Sequence, residues 1–208
     1  MKNVTAIVTT YNRPKMLAKC LSALAKQEVS NIDLEIITKS FSFFGKKYTK
    51  SRQVKPPVLK DLLLKGNTIA TTSVVVRKNL LEEIGGMNES SEMNTAEDYN
   101  TWLRLACLTD GFILAPQILG FYLFHSGGAS RKNTDGLLHR VCDEFTPLLD
   151  RQEKVIYEAT VRYVVALNDF HSGNSSSVNV NNLWYSIING SLSIKIKSLV
   201  LYVILILK

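Results

Sequence analysis

Thr9-Thr10-Tyr11-Asn12-Arg13 brings two hydroxyls, an aromatic ring, an amide and a guanidinium together in consecutive positions, followed by Pro14. Hydroxyls donate and accept hydrogen bonds, and an arginine offers a planar cationic fork that matches a phosphate. A tyrosine ring adds a stacking surface for a base. This set suits a nucleoside diphosphate. The same residues also make an ordinary strand-to-helix turn, and their chemistry alone leaves both readings open. A second group of polar residues, Glu97-Asp98, follows Thr95, which is placed to cap a helix. Acids in a first turn offset the helix macrodipole by about 0.3–1 kcal/mol, and that is a sufficient reason for their presence on spacing alone. His125 stands in a loop after apolar strand material, where a lone histidine is more often structural than a ligand.

The elements that position these groups follow from hydrophobic periodicity. Val4–Thr9 is a short apolar, β-branched run, as expected for a strand buried on both faces. Pro14 suits a first helical position, and Leu17, Cys20, Leu21 and Leu24 then recur on one helix face. Leu34–Thr38 reads as a second buried strand, so the order is β, α, β and a parallel sheet is expected. In such sheets ligands bind beyond the carboxyl ends of the strands, beside positive helix ends, which is where Thr9–Pro14 falls.

Residues 39–60 fit neither period and read mostly as loop. Downstream, "DLLLKGN" predicts a short helix capped by Gly66, "TIATTSVVVRK" a strand, and "NLLEEIGG" a helix stopped at Gly85-Gly86. "TAEDYNTWLRLACLTDG" predicts a further helix, and "FILAPQILGFYLFH" strand material around a proline. Residues 134–171 look helical, and 172–182 read as a polar linker. The remainder, 183–208, reads as an amphipathic or apolar helix.

Composition narrows the partners. The chain has 208 residues, 46% apolar and 21% charged, enough to bury a core. Its net charge of +7 favours anionic partners. Lys and Arg are dispersed, with local density in Lys46–Lys60, so no nucleic-acid stripe forms and no nucleic-acid partner is expected. Cys20, Cys107 and Cys142 make no Cys-x-x-Cys pair, which points to a reducing, cytoplasmic setting. No secretory signal pattern precedes the first strand. The apolar run Leu199–Leu207 has nine residues where a membrane span needs about 20. Flanked by Lys195, Lys197 and Lys208, it suits either a peripheral place on an anionic membrane face or a core helix.

Three blocks in order resemble family-2 glycosyltransferases, the inverting enzymes of the GT-A fold. They are "VTAIVTTYNRPKMLAKCLSALAKQ", "KGNTIATTSVVVRKNLLEEIGGMNESSEMNTAEDYNTWLRLA" and "FYLFHSGGAS". The resemblance covers roughly residues 1–133. It implies an α/β, Rossmann-like, mostly parallel sheet with flanking helices, abbreviated around 39–64 and followed by a helical tail. It also implies sugar transfer from a nucleotide-diphosphate sugar to a saccharide or lipid-linked acceptor, in cell-surface polysaccharide synthesis. By this resemblance Asp98 is the base that takes the acceptor proton, and Glu97 orients the acceptor or caps the helix. Trp102 and Arg104 support the acceptor side. Thr9, Thr10, Tyr11, Asn12 and Arg13 hold the nucleotide, and His125 helps to hold a divalent metal, Mg2+ or Mn2+. The family's second strand continues into Asp-Asp-Gly-Ser and a later Asp-x-Asp. Here the chain reads "LEIITKSFSFFGKK" and contains no Asp-x-Asp. The alternative reading is therefore a non-catalytic, internally shortened module that keeps the acceptor side.

Overall fold

The computed structural model describes residues 18, 21, 22, 25, 36–43, 48–49, 52–71, 74–122, 136–171 and 178–207. The chain divides into two units, residues 1–33 and 34–208. In the first, the Ala25 N–H donates to the Leu21 carbonyl at 3.0 Å, one turn of the expected helix. The expected first strand and the Thr9–Pro14 corner lie outside the described residues.

The second unit contains β1 (Ile36–Phe43), β2 (Tyr48–Thr49), β3 (Val75–Val76) and β4 (Phe112–Tyr122). They form one small mixed sheet. β1 runs parallel to β4 from Ile36↔Phe112 to Phe43↔Tyr122. It is antiparallel to β2 at Phe41 and Ser42, and to β3 at Ile36 and Ile37. A strand has two edges, so β2 and β3 share opposite ends of the edge that β4 leaves free. The β1–β4 register shifts on either side of Ser40, skipping Pro116 and Gln117 before it and Leu119 after it. Proline has no N–H for the ladder, and a bulge removes it from pairing.

The helices are α1 (Val58–Lys65), α2 (Lys78–Glu83), α3 (Glu97–Leu108), α4 (Leu137–Cys142), α5 (Arg151–His171), α6 (Val180–Asn189) and α7 (Leu192–Ile206). They overturn the expected mostly parallel, GT-A-like α/β sheet. Two of the three strand pairings are antiparallel, β2 and β3 have two residues each, and helices dominate the described chain. The reason is visible in the middle of the sequence. Among the described residues, 68–76 contribute only β3 to the sheet, and those of the stretch 39–60, read as loop, supply no further parallel strand. Its start instead prolongs β1, because Ser40-Phe41-Ser42-Phe43 alternates with the period of a strand. Its end opens α1, which buries Val58, Leu62 and Leu63.

The core lies between α1, α3, α4 and α5, with Leu62, Leu103, Leu105 and Val141 closed to solvent. Residues of 136–171 share this core rather than standing apart from it. Buried polar groups lock the helices together. The Tyr99 hydroxyl on α3 donates to the Leu62 carbonyl of α1 at 3.0 Å, and the Thr160 hydroxyl on α5 donates to the Leu64 carbonyl at 2.6 Å.

Asp61 on α1 is 6% exposed and receives Arg52 and Lys65. Burial pushes its carboxyl up, but hydrogen bonds from Lys65 and Arg52 outweigh burial and hold it below the ordinary value. A depressed acid stabilises the fold above its unfolded value, about 3.9, and that stability is lost as pH falls through the folded value. Asp61→Asn is expected to cost about 1.5–3 kcal/mol at pH 7. Urea unfolding at stepped pH tests this: the wild-type loss of stability below about pH 4 should flatten in the variant. An unchanged slope would remove Asp61 from the account.

A second cluster joins α5, α6 and α7 through Ala166, Val178, Leu183 and Leu201. The Ser186 hydroxyl of α6 lies 2.7 Å from the Ala159 carbonyl of α5 and is fully buried. The expected linker ends sooner than read. Residues 172–177 lie outside the described set, but Val178 is buried and Asn179 caps α6 by accepting from the Asn181 N–H at 3.0 Å. The expected tail helix is two helices, broken at Gly190-Ser191. A Cβ at Gly190 would meet the Ser186 carbonyl oxygen at 2.6 Å and Ile194 at 2.7 and 3.0 Å. Gly190→Ala is therefore expected to destabilise by about 1–3 kcal/mol through overpacking, read as a lower melting temperature. A melting temperature at or above wild type would show that the α6–α7 turn is not this close.

Candidate functional site

The site forms at the start of α3. Thr95 does not cap this helix as expected. It has φ +78°, and the N-cap is Ala96, which makes no side-chain capping bond. A non-glycine residue in the left-handed region costs on the order of 1–3 kcal/mol, and such residues cluster at binding and catalytic sites. The turn is held by the Ala96 N–H, which donates to the Met93 carbonyl at 2.9 Å.

Asp98 follows in the first helical turn. Its Oδ1 accepts the Tyr99 N–H at 2.6 Å, and its Oδ2 accepts the Thr71 hydroxyl. Burial pushes its carboxyl up and the neighbouring Glu97 charge adds to this. The two hydrogen bonds act the other way, and the net position is above the ordinary carboxylate value. A carboxylate raised in this way is a stronger proton acceptor than a solvated one. Asp98 nevertheless remains partly exposed.

Glu97 is also partly buried. Its backbone carbonyl accepts the Thr101 hydroxyl at 2.7 Å, whereas its Oε2 is buried and has no hydrogen-bond partner among the described residues. An unpaired buried acceptor is uncommon in folded proteins.

The other sequence-predicted residues divide clearly. Trp102 is in the core at 4% exposure, where it anchors α3 and offers no face to a ligand. Arg104 spends its fork on the backbone, donating at 2.7 Å to the carbonyls of both Ile84 and Gly86. It thereby closes the turn after α2, where Gly85 and Gly86 have positive φ and the Gly86 N–H reaches the Leu81 carbonyl at 2.8 Å. Trp102 and Arg104 thus position α3. Thr9, Thr10, Tyr11, Asn12, Arg13 and His125 lie outside the described residues.

Thr71 was not anticipated. Nothing local in the sequence pairs it with a residue 27 positions away. The hydroxyl-rich run "TIATTS" is the available signal.

The expected Mg2+ or Mn2+ finds no ligand set here. Among the described residues no group of three His, Cys, Asp or Glu side chains stands together, and a hard cation wants several oxygens. A surface cavity of about 360 Å³ opens at the other end of α3, lined by residues that include Lys60, Cys107, Asp110 and Leu148. At a rise of 1.5 Å per residue it is separated from Asp98 by roughly 13 Å of helix, so it is a different feature from the acidic turn. No described helix is long and apolar enough to cross a membrane. Comparison with protein-family models, with curated proteins and with solved structures finds no match.

Proposed function

We infer that this chain takes part in sugar transfer from a nucleotide-diphosphate sugar to a saccharide or lipid-linked acceptor. Asp98 takes the acceptor hydroxyl's proton as the new glycosidic bond forms, and the nucleoside diphosphate leaves from the opposite face. The observation that carries this reading is the Asp98 carboxylate: it is partly desolvated, raised above its ordinary value, steadied by Thr71 and still open to solvent. The ordered resemblance to family-2 glycosyltransferases supports the assignment through the residues around "TAEDYNTWLRLA". The GT-A fold plays no part in it. Donor binding falls to Thr9–Arg13 on sequence grounds alone.

The missing Asp-x-Asp favours a second reading, a non-catalytic module that retains the acceptor side. A transfer assay separates the two. The chain is incubated with UDP- and GDP-sugars and an oligosaccharide or polyprenyl-phosphate acceptor, and nucleoside diphosphate release is followed. Release that depends on the acceptor supports catalysis. Acceptor binding without release, from folded protein, supports the module.

A further inference from the structure

The α6–α7 hairpin carries a feature that sugar transfer does not use. On α7 the exposed apolar residues include Leu192, Ile196, Leu199, Val203 and Ile206, which form one helical stripe, with Val200 and Ile204 exposed along its side. The opposite face, Ile194, Ser198 and Leu201, is buried. On α6, Val180, Trp184 and Ile188 are likewise exposed at i, i+4 and i+8. The Trp184 ring lies 5.1 Å from that of Tyr202. Tyr202 neighbours both Leu199 and Ile206 on the α7 surface, so the two stripes join into one face. An apolar face of this extent marks an interaction site rather than ordinary surface.

Charge identifies what covers it. Residues 170–208 contain no Asp or Glu, and Lys195 and Lys197 lie on α7 itself. At 100° per residue, the two lysines fall on either side of the exposed stripe. An apolar stripe edged by lysines, with a tryptophan at the margin, has the composition of a helix that lies in a lipid interface. α7 has 15 residues. At 1.5 Å per residue it is about 22 Å long, too short for a hydrocarbon layer of about 30 Å, so it lies along the surface.

We propose that the α6–α7 face docks onto an anionic lipid bilayer. The stripe of Leu192, Ile196, Leu199, Val203 and Ile206 enters the headgroup boundary, and Lys195 and Lys197 meet acidic headgroups. This docking does not depend on the sugar-transfer reading.

The test uses the full chain with vesicles of phosphatidylcholine, either alone or with about 30% phosphatidylglycerol. The chain has two tryptophans, and Trp102 is already buried, so a blue shift on adding vesicles reports Trp184. The expected result is a blue shift and co-pelleting with anionic vesicles, weakened by salt. Lys195→Gln and Lys197→Gln should each lower partitioning on the order of fivefold at low salt. Leu199→Glu with Val203→Glu should abolish it. Both positions are exposed, and an unchanged circular dichroism spectrum confirms that the variant folds. Protein that stays in the supernatant with both vesicles overturns the proposal. Equal, salt-insensitive binding to neutral and anionic vesicles overturns it too. So does a dimer, seen by ultracentrifugation, that the double variant dissolves while neither protein binds lipid.

Discussion

Asp98→Asn is expected to lower kcat/KM for sugar transfer by about 10²–10⁴-fold while raising thermal stability at pH 7. The two effects have one cause. Asp98 is partly desolvated and its carboxyl sits above the ordinary value, so the folded chain holds that proton more tightly than the unfolded chain does. Stability linked to such a group is fully present below the unfolded value, about 3.9, and is lost as pH rises through the folded value. At pH 7 the ionised side chain therefore weakens the fold. Asparagine removes the charge; its carbonyl oxygen still accepts the Tyr99 N–H, and its amide NH2 takes the place of Oδ2 and donates to the Thr71 hydroxyl oxygen. It cannot take a proton. Melting curves at pH 7 and pH 3.5 check the stability half: the variant's advantage should be present at pH 7 and vanish in acid. Transfer at the wild-type rate would remove Asp98 as the base. The acid limb of the wild-type rate profile should also lie above pH 3.9, the ordinary aspartate value.

Leu103→Ala should cost about 2–5 kcal/mol, the largest stability effect among the substitutions considered. Leu103 is fully buried in the core that α3 shares with α1, α4 and α5. Trimming its isobutyl group to a methyl leaves a void that the surrounding core cannot close without moving helices. Domains of this size are stable by roughly 5–15 kcal/mol, so the loss is a large share of the total. Each kcal/mol lowers the melting temperature by roughly 2–4 °C. Urea denaturation measures the cost directly, and a value below about 1 kcal/mol would contradict the packing described. α3 also carries Asp98, so transfer should fall with stability even though Leu103 never meets substrate.

The sequence foretold local structure better than architecture. Gly66 and Gly85-Gly86 end α1 and α2 where their positive φ is needed. Glu97 and Asp98 do open a helix. These features depend on a few neighbouring residues. The sheet depends on pairing across long separations, and a βαβ start was extrapolated to parallel strands that the described residues between 39 and 76 do not supply. Thr95 was read as a cap from its type, but its left-handed backbone takes its hydroxyl out of that role. Trp102 and Arg104 were legible as belonging with Asp98, yet they serve it from the core and from the α2 turn. Thr71 reaches Asp98 across the fold, a contact with no local signature.

Calorimetric titration of the folded chain with UDP and with GDP, each with and without Mn2+, tests the central claim most directly. Use of a nucleotide-activated sugar predicts saturable binding of one nucleotide in the micromolar range, and substitution of Arg13 should weaken it. No heat from either nucleotide under either condition, from protein with an intact far-ultraviolet spectrum, would contradict sugar transfer by this chain and leave Asp98 in a module without a donor site.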